Sequence, residues 1–193
     1  MQPLTHDDLY SLEDYARERP AFRARVMAHK KPRAVHVGEH LTLLFEDRLS
    51  IHYQIQEMLR VERIFEDAGI RDELDTYNPL IPDGGNLKAT MLVAYEDPEV
   101  RKRELVRLRG LEKAITLCVD GHAPVTAIAD EDLKRSDDTR TSAVHFLRFE
   151  LEPDMIAAWK DGAGVTLAST LPAMPVETRL NPEQRRALAA DFQ

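Results

Sequence analysis

Three glutamates and one histidine are the residues of this sequence whose chemistry best suits a metal-binding or reactive site: Glu46, Glu57, Glu62 and His145. Carboxylate and imidazole groups are hard to borderline ligands, and such a set suits iron, manganese or zinc. Their spacing matches no established metal motif. Di-iron helical bundles carry Glu and His three residues apart on one helix, and the segment around Glu57 lacks that pair. The residue types therefore predict a polar site that could bind a metal ion.

The segment after residue 48 has the pattern of a helix with two polar residues on its apolar side. Counted at about 100° per residue from Ile51, the apolar arc also includes Gln54 and Glu62. A buried carboxylate is unfavourable unless it is paired, hydrogen-bonded or bound to a metal. We therefore expect Glu62 to be buried with a partner from elsewhere in the chain. A buried glutamate beside His145, with its pKa raised by desolvation, could serve as a general base.

Arginines offer these acids a simpler partner than a metal. The candidates for neutralising Glu57 and Glu62 are Arg48, Arg60 and Arg148. Charged hydrogen bonds to arginine are the commonest way to satisfy a buried carboxylate. In this alternative the polar cluster is a structural ion-pair network, and the histidine of the later strand is a hydrogen-bonded core residue.

A third interpretation uses the polar residues as a binding pocket. Arginines together with Gln54, Tyr77 and Asn78 could hold a small anionic ligand without any chemistry. No serine, cysteine or threonine lies in a recognisable nucleophile motif, so covalent hydrolysis has no support from the sequence.

The elements that would position these residues are two strands and one long helix. Residues 41–46 predict a strand that leads directly into a helix running from about residue 49 to 67 and ending at Gly69. Alternation over residues 141–151 predicts a second strand with His145 on its more apolar face. If these three elements pack together, the polar side chains meet.

Composition and turn signals predict one α+β domain over residues 1–193, with a mainly antiparallel sheet flanked by helices. The chain has 193 residues, of which 43% are hydrophobic, enough for one substantial core. Gly38–His40 and Asp120–Gly121 predict hairpin turns, and residues 130–139 a surface loop. No apolar run is long enough to span a membrane, and the first residues lack the features of a signal peptide, so a cytoplasmic protein is expected.

The N-terminal region predicts a basic helical arm at about residues 5–32. Thr5 and Asp8 suggest a helix start, and Pro20 divides the region into two helices. Seven basic residues and one acid lie between residues 17 and 36, although the whole chain carries a net charge of −8. We expect this face to pair with the protein's own carboxylates. Phosphate binding is the alternative, and the lack of interleaved aromatic residues makes nucleic acid an unfavoured partner.

Four segments together resemble a bacterial family of proteins classed as a domain of unknown function: residues 43–48, 54–60, 73–82 and 141–149. The resemblance extends over almost the whole chain and carries no assigned reaction. It implies an association with rubrerythrin-like proteins and iron–sulfur oxidoreductases, whose genes often neighbour those of the family. Because Cys118 is the single cysteine, the chain cannot ligate an iron–sulfur cluster with cysteines of its own.

The sequence thus leads to an accessory protein of a redox or oxidative-stress system, with a buried Glu/His polar site that could bind a metal. The alternative is a non-enzymatic protein-interaction domain whose polar cluster is an ion-pair network. Self-association into a homo-oligomer is compatible with either function. No motif specifies a reaction or a substrate.

Overall fold

The computed structural model describes residues 1–129 and 140–193. Six α-helices occur in these ranges: α1 Leu12–Lys30, α2 Arg48–Glu62, α3 Asp67–Tyr77, α4 Pro98–Arg107, α5 Pro153–Lys160 and α6 Pro182–Ala189. Nine strands occur in the same ranges: β1 Ala34–Val37, β2 Leu41–Glu46, β3 Asn86–Val93, β4 Ile115–Val119, β5 Val125–Thr126, β6 Ile128–Ala129, β7 Val144–Glu150, β8 Val165–Ser169 and β9 Val176–Arg179. The loop expected at residues 130–139 lies outside the described residues.

The strands form two antiparallel sheets, which confirms the α+β class. One sheet has the strand order β1-β2-β3-β7-β6, and the other has the order β5-β4-β8-β9. The sequence indicated a single sheet. Turn signals locate hairpins, but they do not show which hairpins pair within the same sheet. Both predicted hairpins are present, since β1 pairs with β2 and β4 pairs with β5.

Side chains from both sheets share the main hydrophobic core, which α5 and α6 complete. Leu43 of β2, Met91 of β3 and Leu147 of β7 belong to it, as do Leu117 and Leu167 of the smaller sheet. Alternate residues of β7 are buried, as the period of two requires, and His145 lies on the buried face opposite Met91. The strand and the face predicted for His145 are confirmed.

The helices α1, α2 and α3 bury two further apolar clusters. Ile51, Ile55 and Leu59 of α2 pack with α3 and the N-terminal segment, whereas Tyr15 and Phe22 of α1 meet the other side of α2. In the two described ranges, no helix combines the length and apolar character needed to cross a membrane.

The basic N-terminal region is one helix packed on the domain. The division predicted at Pro20 is wrong, because α1 continues through this residue from Leu12 to Lys30. A proline inside a helix leaves the carbonyl four residues earlier without its usual donor. Here Pro20 and Ala16 are both exposed, so water can bind that carbonyl. Tyr15 and Phe22 are buried on either side of the missing hydrogen bond.

The helix α2 ends earlier than its sequence suggests. Gly69 was expected to end it, but the last helical residue is Glu62, and Gly69 lies inside α3. Arg63 takes the left-handed conformation at the end of α2, with φ 55°, and its N–H bonds to the Leu59 carbonyl. Glycine is the residue usually found in this conformation, so an arginine there conceals the end of the helix.

Candidate functional site at the junction of β2 and α2

The polar junction is the point where β2 gives way to α2. Asp47 is the N-cap of α2: its carboxylate accepts a hydrogen bond from the Ser50 N–H at 2.8 Å, and the Ser50 hydroxyl accepts one from the Asp47 N–H at 2.9 Å. This reciprocal capping box satisfies donors that a helix start leaves open. It also fixes Glu46 and Asp47, both buried, as adjacent carboxylates at the end of β2.

Glu46 lies among hydroxyl donors of the protein. The Ser50 hydroxyl donates to one of its carboxylate oxygens at 2.6 Å, and the Thr90 hydroxyl donates to the other at 2.9 Å. The Lys30 ammonium lies 3.9 Å from the carboxylate. Glu46 is thus satisfied by hydrogen bonds from β3 and α2.

Asp47 bonds to the imidazole of His29 through His29 Nε2, and the Arg33 guanidinium lies 3.5 Å away. Burial alone would raise the pKa of Asp47. The charge of Arg33, the Ser50 N–H and the bond to His29 together hold that pKa below its ordinary value. Asp47 is therefore a buried carboxylate kept ionised by its neighbours.

Arg33 closes the junction from the other side. Its guanidinium donates to the carbonyls of Phe45 at 3.1 Å, Glu46 at 3.2 Å and Ala187 at 3.0 Å, and to the Asp191 carboxylate at 2.5 Å. The Ala187 carbonyl lies in the last turn of α6, where helix carbonyls lack a partner. Burial raises the pKa of Asp191, although Arg33 opposes the shift. Arg33 thus ties the C-terminal end of the chain to β2.

The junction offers one arrangement of chemical interest, the His29–Asp47 pair. A carboxylate that binds one imidazole nitrogen orients the ring. The His29 side chain is 36% exposed, so the ring also meets solvent. Across residues 1–129 and 140–193, no group of three or more His, Cys, Asp or Glu side chains is arranged to hold a metal. The junction as it stands is a network of charges.

Two predictions for α2 are wrong, because Gln54 and Glu62 are exposed. Ile51, Ile55 and Leu59 set the buried face. Beyond the capping residue Ser50, the buried polar residue of the helix is Gln56, whose amide bonds the Tyr10 backbone. Glu62 has the right helical phase for burial. It is, however, the last helical residue, and the chain turns away immediately after it.

Glu57 is the helical acid that has arginine partners. Arg19 of α1 donates to both of its oxygens, at 2.7 and 2.9 Å, the Tyr15 hydroxyl donates at 2.7 Å, and Arg60 donates at 3.2 Å. The Arg19 hydrogen bonds, more than the others, lower the pKa of Glu57 to about 2. The ion-pair interpretation describes Glu57 well, with Arg19 as the main partner that helix phase did not identify.

Two of the residues expected to form an anion pocket, Arg48 and Asn78, anchor the N-terminal segment. Arg48 pairs with Asp8 at 2.6 Å, and the Asn78 amide exchanges two hydrogen bonds with the Leu4 backbone, at 2.8 and 2.9 Å. Tyr77 packs at the edge of the same apolar cluster. These side chains hold the N-terminal segment in place.

His145 is fully buried and has a different acid as its neighbour. Its Nε2 lies 2.8 Å from the Thr141 hydroxyl, which donates to Glu112 at 2.9 Å, and the Glu112 carboxylate is 3.9 Å from the imidazole. Glu112 takes the place expected for Glu62. Arg148 belongs to the opposite face of β7, where it pairs with Glu150.

Sequence reasoning missed the partners that complete both clusters: His29, Arg33, Glu112, Thr141 and Asp191. A capping signal at Asp47 and Ser50 could have located the junction. Nothing local identifies Arg33 and Asp191, which are 158 positions apart. Buried arginines carry no sequence pattern of their own.

The fold and its paired charges define an α+β domain in which buried polar groups are joined to one another across distant parts of the chain. The family described as protein of unknown function DUF3501 matches residues 3–192, and the chain belongs to this family. A crystal structure of a novel protein of unknown function from Burkholderia pseudomallei K96243 is similar throughout. It has 51% sequence identity and a TM-score of 0.94, with 100% of each chain covered. No curated protein matched the sequence significantly.

Proposed function

We propose that the protein is a non-enzymatic protein-interaction domain that serves as an accessory protein of a redox system. The observation that carries this proposal is the internal pairing of its acids. Glu46 and Asp47 accept hydrogen bonds from the chain's own hydroxyl, N–H and imidazole groups, and Glu57 binds Arg19. Groups used in this way stabilise a scaffold, and are poorly placed to bind and transform a substrate.

Apolar side chains on the surface support a binding role. Six large ones are at least 36% exposed in the described ranges: Tyr10, Met27, Val61, Phe65, Val106 and Ile128. Aromatic residues and methionine are enriched in protein interfaces, where their apolar area is removed from water. Binding therefore requires no chemistry from the polar junction.

The class of partner follows from the family resemblance. It implies iron–sulfur oxidoreductases or rubrerythrin-like proteins, and these partners would supply the redox centre. The single cysteine, Cys118, is half-buried in β4 and cannot make a cluster alone. The accessory role would then be to hold or position a partner.

The direct test is calorimetric titration of the purified protein with an iron–sulfur oxidoreductase and a rubrerythrin-like protein from the same organism. We expect saturable binding to one of them, with the same affinity for His145→Gln, whose circular dichroism must first match the wild type. Absence of binding to both partners would contradict the proposal. So would a folded His145→Gln variant that no longer binds.

Elemental analysis tests the competing metal site. Protein purified without an affinity tag should contain iron, manganese and zinc only far below one atom per chain. Stoichiometric metal that is lost in His145→Ala and retained in Glu62→Ala would instead indicate a metal centre at His145 and Glu112. That result would return the protein to the class of metalloproteins.

A further inference from the structure

The α2–α3 turn surface consists of Val61, Arg63, Phe65, Glu66 and Gly69, and it presents two strongly exposed apolar side chains. Phe65 is 72% exposed and Val61 is 58% exposed, more than any other large apolar side chain in the described ranges. Single exposed apolar residues are ordinary, but here two stand within five positions at one turn. This surface is suited to contact with another protein.

A cavity of about 280 Å³ opens directly beside Phe65. It is lined by Arg63, Ile64, Phe65, Glu66 and Gly69. Gly69 is needed for its shape, because a Cβ atom at this position would lie 2.7 Å from Cγ2 of Ile64. The turn thus carries a projecting aromatic ring and a hollow next to it.

The backbone at Arg63 is a second, independent feature of this surface. Arg63 is the only non-glycine residue with a positive φ in residues 1–129 and 140–193. Glycine would adopt this conformation without the steric cost that a Cβ imposes. The turn that follows brings Arg63 to the cavity wall, which it shares with the oppositely charged Glu66.

We infer that the α2–α3 turn surface binds a second copy of this chain, so that the interaction domain proposed above acts as a dimer. A two-fold axis brings identical patches together, and such a patch must complement itself. This one does: Phe65 of each copy can enter the cavity of the other, and Arg63 of each copy then faces Glu66 of the other. The surface thus carries both halves of each contact: the Phe65 ring with a cavity to receive it, and Arg63 with an acid to pair with it.

The test is size-exclusion chromatography with light scattering over a range of protein concentrations. We expect wild-type protein to reach the mass of a dimer, and Phe65→Asp to remain a monomer or to weaken the dimer by at least about tenfold. Val106→Asp is the matched control, since Val106 is 53% exposed on α4, and it should dimerise as the wild type does. A wild-type protein that stays monomeric up to millimolar concentration would overturn the inference.

A charge exchange adds a test that does not depend on the phenyl ring. Arg63→Glu and Glu66→Arg should each weaken the dimer, and the double variant should restore it, because the opposite charges then face each other again across the axis. Double-variant protein as weak as the single variants would contradict the proposed contact. Unfolding curves of each variant establish that the fold is intact.

This inference rests on the proposed function, but the two can fail separately. A monomeric wild-type protein that binds its redox partner would remove the dimer and leave the interaction domain. A dimeric protein that binds neither redox partner would remove the proposed function and leave the dimer.

Discussion

At its first residues α2 is held by a buried network of charges, whereas after its last residue the chain turns through an exposed arginine in a left-handed conformation. The first end has the Asp47 cap, Arg33 and the His29 imidazole around it. The second end has Glu62 in solvent and Phe65 projecting from the turn. One helix thus joins a closed polar region to an open apolar one.

The difference shows which chemistry stabilises this protein and which remains available for binding. A buried charge costs free energy unless every polar atom around it is paired, and at the junction the pairs come from several distant segments. The turn has no such network. We therefore expect substitutions at the first end to cause the larger changes in the free energy of unfolding, and substitutions at the second end to change association.

The largest effect should come from Arg33→Met. This change leaves the Asp47 and Asp191 carboxylates buried without their common cation and removes four hydrogen bonds. Loss of one partner from a buried pair costs about 3–5 kcal/mol. Urea unfolding at pH 7 should show this decrease.

Arg48→Met is the control, because Arg48 pairs with Asp8 while 38% of its side chain is exposed. Exposed ion pairs contribute at most about 1 kcal/mol, so this variant should change little. If the two arginine variants unfold at the same urea concentration, the junction does not stabilise the fold as we describe.

Glu57→Gln should have an intermediate effect on the free energy of unfolding, and it should make that free energy depend less on pH in the acid range. The pKa of Glu57 is about 2 in the folded protein, below its usual 4.5, so its ionised form stabilises the fold above about pH 4.5. That contribution is lost as the pH falls from about 4.5 towards 2. At pH 7 the variant should lose about 1–3 kcal/mol of unfolding free energy, and its stability should vary less over that acid window.

The same substitution at the other end of α2 provides the matched comparison. Glu62 is exposed at the last helical residue, where a negative charge is unfavourable to the helix dipole, so Glu62→Gln should not destabilise the protein. A loss as large as that of Glu57→Gln would mean that Glu62 has a partner in solution.

His52→Phe should have a smaller effect and concerns the first half of α2. The His52 ring stacks on Tyr10, with centroids 5.9 Å apart, and makes a tilted contact with Phe22 at 5.0 Å. Within the described residues its buried Nε2 has no hydrogen-bond partner. Burial, more than any other cause, lowers the pKa of His52 from its usual 6.5.

Because the folded pKa is lowered, the unfolded chain binds the His52 proton more readily. The contribution of neutral His52 to the free energy of unfolding is therefore full above about pH 6.5, and it decreases as the pH falls below that value. His52→Phe should weaken this dependence and gain about 1 kcal/mol at pH 7, since it removes an unsatisfied nitrogen. Thermal unfolding measured between pH 7 and pH 5 checks both effects, and identical pH profiles for the two proteins would contradict them.

Arg63→Gly should have the smallest effect on the free energy of unfolding, and the variant should be the more stable protein. Glycine adopts φ 55° without a steric penalty, so the variant should gain up to about 1 kcal/mol of unfolding free energy. Arg60→Gly, three residues earlier inside the helix, should lose about that amount from helix propensity, in addition to its hydrogen bond to Glu57. Equal destabilisation in both variants would show that the turn is not left-handed at Arg63.

Much of this fold could be read from the sequence wherever a local rule applies. Alternation placed His145 on the buried face of β7, and turn residues located two hairpins, because both signals act over a few positions. Local rules failed at Pro20 and Arg63. In both cases the chain keeps a conformation that the residue type disfavours.

The site was harder to predict because its bonds join distant positions. The sequence named Glu46 and Glu57 as candidate site residues, yet it supplied neither Arg33 nor Glu112 as the partner of any group. Helix phase also gave Glu62 the direction of a buried residue without showing that the helix stops there. The side of a helix on which a residue lies can be read from periodicity. Whether another part of the protein covers that side at a given residue cannot.

The most direct test of this account is the affinity of a His29→Ala variant for the redox partner, measured together with its free energy of unfolding. His29 bonds to Asp47 at the junction and also meets solvent. Its loss therefore best distinguishes a role in stabilising the fold from a role in binding or reaction. We predict a less stable protein that binds its partner as tightly as the wild type. A variant of wild-type stability that fails to bind would contradict the account and make the junction a functional centre.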